Sequence, residues 1–256
     1  MPFVKSNPHA PLGFFEAEAA GLAWLAQAQP DGGARIVRVE SLGPRSIELE
    51  QLVPARPTPD AAAEFGRALA VTHRAGAEEL GSPPQGWTGP NFIGSRPMTC
   101  EPDMSWGRFY AEQRVRPFLE IAVSVGSIGA GDADVVRAVC ERLESGAADD
   151  DEPARRIHGD LWNGNVFWTA DGVVLIDPAA HGGHRETDLA MLQLFGAPHL
   201  DEIIGAYDSV FPLRTGWRER VPLHQLHPLA VHAAGHGASY GRALGDAARS
   251  ALDSMR

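Results

Sequence analysis

The sequence predicts an α+β protein of two unequal lobes, a small β-rich one over residues 1–56 and a larger, mainly helical one over residues 57–256. Three observations predict it. Two runs of extended character, Ala34 to Val39 and Arg45 to Leu52, flank the turn signal Leu42-Gly43-Pro44 and read as a hairpin. The proline-rich stretch Ala55 to Ala62 then breaks the pattern. Beyond it, apolar residues recur mostly at helical spacing.

Taken in order, Phe3-Val4 is a short strand-like pair followed by Lys5. Residues 12–28 are alanine-rich, with Phe15, Leu22 and Leu25 on one helical face. Glu18 falls on that face and Glu16 does not, so Glu18 is the acid that needs a buried partner. Only five lysines or arginines precede residue 57, and Lys5 is one of them. Thr58-Pro59 reads as an N-cap followed by a first-turn proline, opening a helix over 59–75. Further helices are predicted over 105–121 and 132–146, the latter with Val135, Val136, Val139 and Leu143 as its apolar stripe. Residues 81–104 read as a long loop, and the acidic run Asp149 to Glu152 as a solvated one. From 187 onward the pattern is mostly helical, broken at Gly196-Ala197-Pro198 and at Phe211-Pro212.

Composition excludes several classes of function. The net charge is −11, with 33 acids against 22 bases and no basic cluster, which argues against a nucleic-acid partner. No run of about 18 apolar residues exists to span a membrane, and no secretory signal opens the chain, so a soluble, cytoplasmic protein is expected. Cys100 and Cys140 are too few for a disulfide framework or a structural zinc site and read as packing residues. An acidic protein that binds polyphosphate must supply positive charge locally, from a metal, a lysine or helix N-termini.

The chemistry concentrates in "RIHGDLWNGNVFWTADGVVLID", Arg156 to Asp177. Two apolar runs flank an Asp-Gly turn near Asp171, a strong hairpin signal. Folding the chain there sets Asn165 opposite Asp177, and opposed side chains in an antiparallel pair lie about 4.5–5.5 Å apart. A carboxylate and an amide oxygen brought together suit magnesium, with Asp160 beside the ion. His158-x-Asp160, four further residues and Asn165, then Asp177, repeat the spacing of the protein-kinase catalytic loop and its magnesium-binding aspartate. Pro178 and Ala179 replace the phenylalanine and glycine that follow that aspartate in protein kinases. Lys5 and Glu18 match the ion pair that steadies ATP phosphates, and backbone groups of Glu50, Gln51 and Leu52 fall where the adenine edge would pair.

On these residues the chain resembles the fructosamine kinase (ketosamine 3-kinase) family, relatives of aminoglycoside and choline phosphotransferases with a protein-kinase-like fold. "HGDLWNGN" and "IDPA" carry the resemblance, supported by "FVK" before "FFEAEAAGL", "GPNFIG", "SWGRFYAEQRV", "GHRETDLAML" and "LHQLHPLAVHAAGHGASY". It implies ATP-dependent phosphorylation of the 3-hydroxyl of a fructosamine, ribulosamine or erythrulosamine, free or on a protein lysine. Asp160 would orient and deprotonate the hydroxyl, Asn165 and Asp177 would hold Mg2+, and Lys5, fixed by Glu18, would hold the phosphates. Asn91, Trp106, His158 and Trp162 are expected on the substrate side, and Asp188 as a structural anchor of the catalytic loop. A kinase for aminoglycosides or an amino alcohol is the alternative, with an inactive nucleotide-fold binding protein a third reading.

Kinase folds open with two strands and a phosphate-covering loop ahead of the lysine, whereas only Met1 to Val4 precede Lys5 here. Gly32-Gly33 follows the Glu18 helix and reads as a turn. The expectation is a small lobe lacking its first two strands, from a chain whose start lies upstream. His224, His227, His232 and His236 are read as helix-packing residues because no acid or cysteine completes a metal set, and His73 as a core or capping histidine.

Overall fold

The computed structural model describes residues 2–255, and its first lobe is a three-stranded antiparallel sheet with one helix against it. Strand β1 (Phe3–Ser6) and strand β3 (Val39–Gly43) flank β4 (Ser46–Leu49). Helix α1 (Phe14–Ala26) buries Phe15, Glu18, Leu22, Trp24 and Leu25. The predicted hairpin forms with a later first arm, Val39–Gly43 against Ser46–Leu49. Arg35–Ile36 leaves as β2 and pairs in parallel with Val174-Leu175 of the second lobe. Ile36 and Val37 are buried there, and a register shift between Val39 and Ser41 takes up the bend.

Helix α2 (Pro59–Arg74) starts at the predicted cap, where Thr58 Oγ1 accepts from the Ala61 N–H at 3.2 Å. The expected loop over 81–104 contains a hairpin of β5 (Asn91–Ile93) and β6 (Arg96–Met98). Three-residue strands are too short to show an alternating pattern, so only the Gly94-Ser95 turn signalled them. The next helix is interrupted: α3 (Trp106–Phe109) runs into a π-helical turn (Tyr110–Val115) and then α4 (Arg116–Ser124). Pro117 has no N–H for the Gln113 carbonyl, and the Arg114 guanidinium donates to that oxygen at 3.1 Å instead. There follow α5 (Ala130–Glu144), β7 (Arg155–Ile157), β8 (Val166–Thr169), β9 (Gly172–Leu175) and β10 (His181–Gly183). Helices α6 (Arg185–Phe195), α7 (Leu200–Val210), α8 (Trp217–His224), α9 (Leu226–His236) and α10 (Ala238–Ser254) complete the chain. The breaks at 196–198 and 211–212 fall where predicted, with Gly196 in the left-handed region at φ +70°.

Two apolar cores hold these elements. One fills the space among α3 to α5 and α8 to α10. The other runs from α1 and the first sheet through α2, the β8–β9 hairpin and α7, so it joins residues on both sides of position 56. The run Asp149 to Glu152 is only partly solvated: Asp149 and Asp151 are exposed, whereas Asp150 and Glu152 are half-buried. Asp149 accepts from the Gly107 N–H at 2.7 Å, Asp150 pairs with Arg214 at 3.0 Å, and Glu152 pairs with Arg155 at 2.7 Å and Arg185 at 3.2 Å. The buried Arg185, contributed by a distant segment, draws Glu152 inward, a cause invisible to local sequence.

Arg156 is buried on β7 with no carboxylate within ion-pair distance among the described residues. Its guanidinium donates to the Trp24 carbonyl at 2.6 Å and the Gly76 carbonyl at 3.3 Å, and lies 4.7 Å over the Trp24 ring. Those carbonyls lie where α1 and α2 end, so the negative ends of two helix dipoles act as the counter-charge. The strand entering the catalytic loop is thereby tied to the helix that carries Glu18. Among the described residues no helix is long and apolar enough to cross a membrane.

Candidate active site

The β8–β9 hairpin pairs Val166 with Leu175 and Thr169 with Gly172, leaving Ala170-Asp171 as the turn. That register is one residue off the predicted one. Asn165 faces Ile176, whose N–H donates to the Asn165 carbonyl at 3.2 Å, and Asp177 lies one residue beyond. Asp177 reaches the same point by a backbone turn instead. Its φ is +53°, an unusual conformation for a non-glycine residue and more so before Pro178. Strain of this kind, of order 1–3 kcal/mol, persists where the surroundings over-determine it. Here the Ala179 N–H donates to the His158 carbonyl at 3.0 Å, and the Asn165 side chain donates to the Asp177 carbonyl at 3.3 Å.

The Asn165 amide nitrogen also donates to the Asp160 carbonyl at 2.8 Å and to Asp160 Oδ2 at 3.1 Å. All three partners are oxygens, which fixes the amide orientation and leaves Asn165 Oδ1 as an open acceptor. Lys5 Nζ donates to both oxygens of Glu18, at 2.8 and 2.9 Å, and to Asp177 Oδ1 at 2.8 Å. Burial pushes Lys5 down, but the two carboxylates outweigh it and hold the ammonium above its ordinary range. Asp160 behaves oppositely. Burial pushes its carboxyl up to about 7, helped by the negative charges of Asp177 and Asp188 and opposed by the Asn165 hydrogen bond.

Below this layer lies a buried support. Asp188 accepts from the His158 N–H at 2.7 Å and the Gly159 N–H at 2.9 Å, and its Oδ2 lies 3.1 Å from His73 Nε2. His73 Nδ1 meets the Tyr207 hydroxyl at 2.8 Å. His73 and Tyr207 therefore hold the anchor of the catalytic loop, a role the sequence hides because nothing local links residues so far apart. Gly159 sits at φ +78°, and a Cβ there would come within 2.3 Å of the Ala179 carbonyl. Replacing Asp188 by Asn exchanges one acceptor oxygen for a donor facing N–H groups. The expected cost is about 1–3 kcal/mol, read as a lowered denaturation midpoint at unchanged m-value. An unshifted midpoint would remove the anchor role.

Lys5 and Asp177 lie where two cavities meet. One, of about 390 Å³, is walled by Phe3, Val37, Leu49, Leu52, Phe167 and Ile176, and includes Glu50 and Gln51. Its apolar walls suit a flat heteroaromatic ring, as do the backbone N–H groups of Gln51 and Leu52, which make no hydrogen bond among the described residues. The Glu50 N–H is already committed to the Arg38 carbonyl at 2.9 Å. The other cavity, of about 260 Å³, holds Glu18, Asp160 and Asn165, with Phe14, Asn91, Phe92, Gly94, Met98 and Trp162 around them. Asn165 Oδ1 and Asp177 Oδ2 face no protein donor among the described residues, and both residues line this space. Two hard oxygens beside a polyphosphate-sized cleft fit a small divalent cation such as magnesium.

Two residues expected on the substrate side are elsewhere. His158 is buried, its Nε2–H donates to the Ile176 carbonyl at 2.9 Å, and its Nδ1 accepts from the Asp160 N–H at 3.3 Å, so both nitrogens are spent. Trp106 is a core residue stacked on Tyr110 at 4.9 Å, with His224 at 4.8 Å. Conversely, an acid does stand beside His224: His184, Glu186 and His224 bring ligand-type atoms within 4.8 Å of one another. A metal is nonetheless disfavoured. Arg220 already forks onto both Glu186 oxygens at 2.7 and 2.9 Å. His184 Nδ1 accepts the Glu186 N–H, which puts the ring proton on the Nε2 that a metal would need.

The family model described as "Fructosamine kinase" matches residues 1–254. A protein of Enterococcus faecium assigned as a ketoamine kinase is 32% identical over 244 residues, covering 93% of this chain and 83% of that one. A Klebsiella aerogenes protein with the same assignment is 34% identical over 234 residues, covering 90% and 78%. The crystal structure of a Thermobifida fusca protein assigned as a fructosamine-3-kinase superposes with a TM-score of 0.90 at 49% identity, over 98% of this chain and 85% of that one. A choline/ethanolamine kinase family protein from Mesorhizobium loti, 16% identical, shares the fold at a TM-score of 0.59, over 99% of this chain and 86% of that one.

Proposed function

We propose that this chain, which belongs to the fructosamine kinase family, transfers the γ-phosphoryl group of ATP to the 3-hydroxyl of a ketoamine: a fructosamine, ribulosamine or erythrulosamine, as a free metabolite or on a protein lysine. The observation that carries the reading is a half-buried carboxylate, Asp160, held by Asn165 in a cavity that meets the apolar pocket at Lys5 and Asp177, while the Glu18 carboxylate in the same cavity is spent on Lys5.

In this mechanism the apolar pocket takes adenine against Leu49, Leu52 and Phe167, with backbone groups at Glu50 to Leu52 reading its edge. Lys5, kept protonated by Glu18 and Asp177, neutralises phosphate oxygens. Asn165 and Asp177 would hold Mg2+, which when bound neutralises charge on the phosphates. Asp160 hydrogen-bonds the acceptor hydroxyl, aligns its oxygen in line with the γ-phosphorus and takes its proton as the P–O bond to ADP breaks. A carboxyl raised to about 7 is a better base than an ordinary aspartate and is substantially ionised at neutral pH. Asn91 and Trp162 line the acceptor end. The net charge of −11 supports a neutral or cationic acceptor, and we place the reaction in the cytoplasm.

A substrate panel tests the reading. With ATP and magnesium, fructose-lysine or ribulose-lysine is expected to be phosphorylated with kcat/KM far above that for kanamycin or choline. Turnover confined to kanamycin or choline would replace the ketoamine assignment.

A further inference from the structure

We infer that a cavity lined by Arg156, at the base of the strand that enters the catalytic loop, is a binding site for a small oxyanion, a carboxylate or a phosphoryl group. The cavity, of about 330 Å³, lies between the ends of α1 and α2 and the segment from Ala77 to Gln85. It shares no lining residue with either of the two cavities assigned to nucleotide and acceptor. Its size is that of a small-ligand site.

A guanidinium carries five N–H donors. In Arg156 two are engaged, Nε–H by the Gly76 carbonyl at 3.3 Å and one Nη1–H by the Trp24 carbonyl at 2.6 Å. The other three, both on Nη2 and one on Nη1, meet no acceptor among the described residues. Clamping two helix ends requires only the bonds already made. The residue is 8% exposed, so its remaining donors open onto the cavity that it lines and not onto a free surface. The helix ends place partial negative charge at two of the nitrogens, and Nη2 has none. Burial lowers the pKa of Arg156, and no neighbouring carboxylate raises it. An anion in the cavity would complete the group through charge-assisted hydrogen bonds, roughly twice as strong as those to neutral acceptors. The Trp24 ring, 4.7 Å beneath the guanidinium, fixes its plane, so the free edge is already oriented when a ligand arrives.

The opposite wall adds donors. The backbone N–H groups of Glu78 and Gln85, two residues that line the cavity, make no hydrogen bond among the described residues, and neither does the Gln85 side-chain amide. The one acid among the lining residues is Glu78, which is exposed and makes no ion pair with Arg156. Its charge opposes an anion weakly, through solvent. Arg156 stands four residues before Asp160, and Trp24 six residues after Glu18 on α1. An occupant of the cavity therefore adds a bond to the clamp that holds the catalytic loop to the helix of Glu18.

Titration of the isotope-labelled full chain with sodium phosphate, sodium acetate and sodium chloride at constant ionic strength tests the site. Phosphate, acetate or both are expected to shift the backbone amide resonances of Glu78 and Gln85 saturably and to raise the melting temperature by about 2–4 °C near saturation. Chloride should do neither. A response to phosphate alone identifies a phosphoryl ligand, and a comparable response to acetate a carboxylate. Glu78→Gln removes the opposing charge and should tighten binding by roughly two- to fivefold, whereas Arg156→Gln should abolish the temperature rise. Because Arg156→Gln also loosens the clamp, the amide titrations of the wild type and Glu78→Gln stand as the test where that variant does not fold. Unmoved Glu78 and Gln85 resonances with both oxyanions, resonances moving only at Lys5 and Glu18, a temperature rise kept by Arg156→Gln, or binding weakened by Glu78→Gln would each overturn the site.

Discussion

Asp160→Asn is expected to lower kcat on a ketoamine by roughly 10²–10⁴-fold, the usual worth of a positioned general base, with little change in KM for ATP. The substitution is close to isosteric. Asn165 still finds the backbone carbonyl of residue 160 at 2.8 Å and a side-chain oxygen in place of Oδ2. Lys5, Glu18 and Asp177 do not contact the Asp160 side chain, so the phosphate end keeps its arrangement. Two accompanying readouts separate loss of a base from loss of structure. Wild-type kcat/KM should fall toward acid as Asp160 takes up a proton and can no longer accept one, at a pH that a bound cation beside it brings below about 7; the variant should lack that limb. Ionising a carboxyl whose folded pKa is raised costs the native state stability above about pH 7, so the variant should melt no lower than wild type there. Near-normal turnover, or a lost pH limb accompanied by unfolding, would remove Asp160 from the role of base.

How much of this was legible depended on how local the cause was. Asp160, Asn165 and Asp177 could be found because hairpin geometry is set by the few residues between them. The one-residue error in their pairing arose because the turn is Ala170-Asp171, centred half a residue before Asp171; Asp177 is then brought to the same point by a left-handed backbone before proline, which the surrounding hydrogen bonds impose and the hairpin alone does not. Lys5 and Glu18 were legible from helical phase, since an acid on a buried face demands a cation. The second carboxylate on Lys5 was not, because Asp177 arrives from a point 172 residues away. His158 and Trp106 were misplaced for one reason: a polar or aromatic residue near a motif looks available until the partners that consume it are known, the Ile176 carbonyl and the Asp160 N–H for the imidazole and Tyr110 for the indole. The π-helical turn sits at Tyr110–Val115, just before Pro117; the proline was visible, but the arginine that repairs the Gln113 carbonyl was not.

Falling pH should begin to destabilise the protein before its carboxylates titrate. His181, His224 and His227 are almost completely buried, and burial is the first cause that pushes each below the ordinary histidine range, to about 4 for His224 and about 3 for His227. Their partners reinforce this. The Arg114 Nε–H donates to His181 Nε2 at 3.2 Å, so a proton there would expel a buried guanidinium. The charge of Arg114 also opposes protonation of His227, whose Nδ1–H is spent on the Arg114 carbonyl at 2.8 Å. His224 has Glu186 beside it, but Arg220 has already claimed that carboxylate. The unfolded chain binds protons on all three near pH 6.5, whereas the native state refuses them until about 4 at His224 and about 3 at His227, and well below the ordinary range at His181. The stability they contribute is therefore fully present above about 6.5 and lost as pH falls, at about 1.4 kcal/mol per pH unit for each histidine. Three together give a slope of about 4 kcal/mol per unit, and Asp160, which takes up its proton below about 7, offsets about 1.4 of it; the net of about 3 kcal/mol per unit still consumes a typical 5–15 kcal/mol within a few units. Glu186, held down to about 2 despite burial by His224 and Arg220, adds its own loss only below the ordinary carboxylate range. Urea denaturation at pH 7.5, 6.5 and 5.5 should show nearly constant stability across the first interval and a steep loss across the second. His224→Gln, which keeps a polar group toward Thr187 and Glu186 without titrating, should reduce the slope by about 1.4 kcal/mol per unit. A stability that stays level down to pH 5.5 would mean that these rings are protonated in the native state, and that the buried network around Arg114 and Glu186 is wired differently from the hydrogen bonds described above.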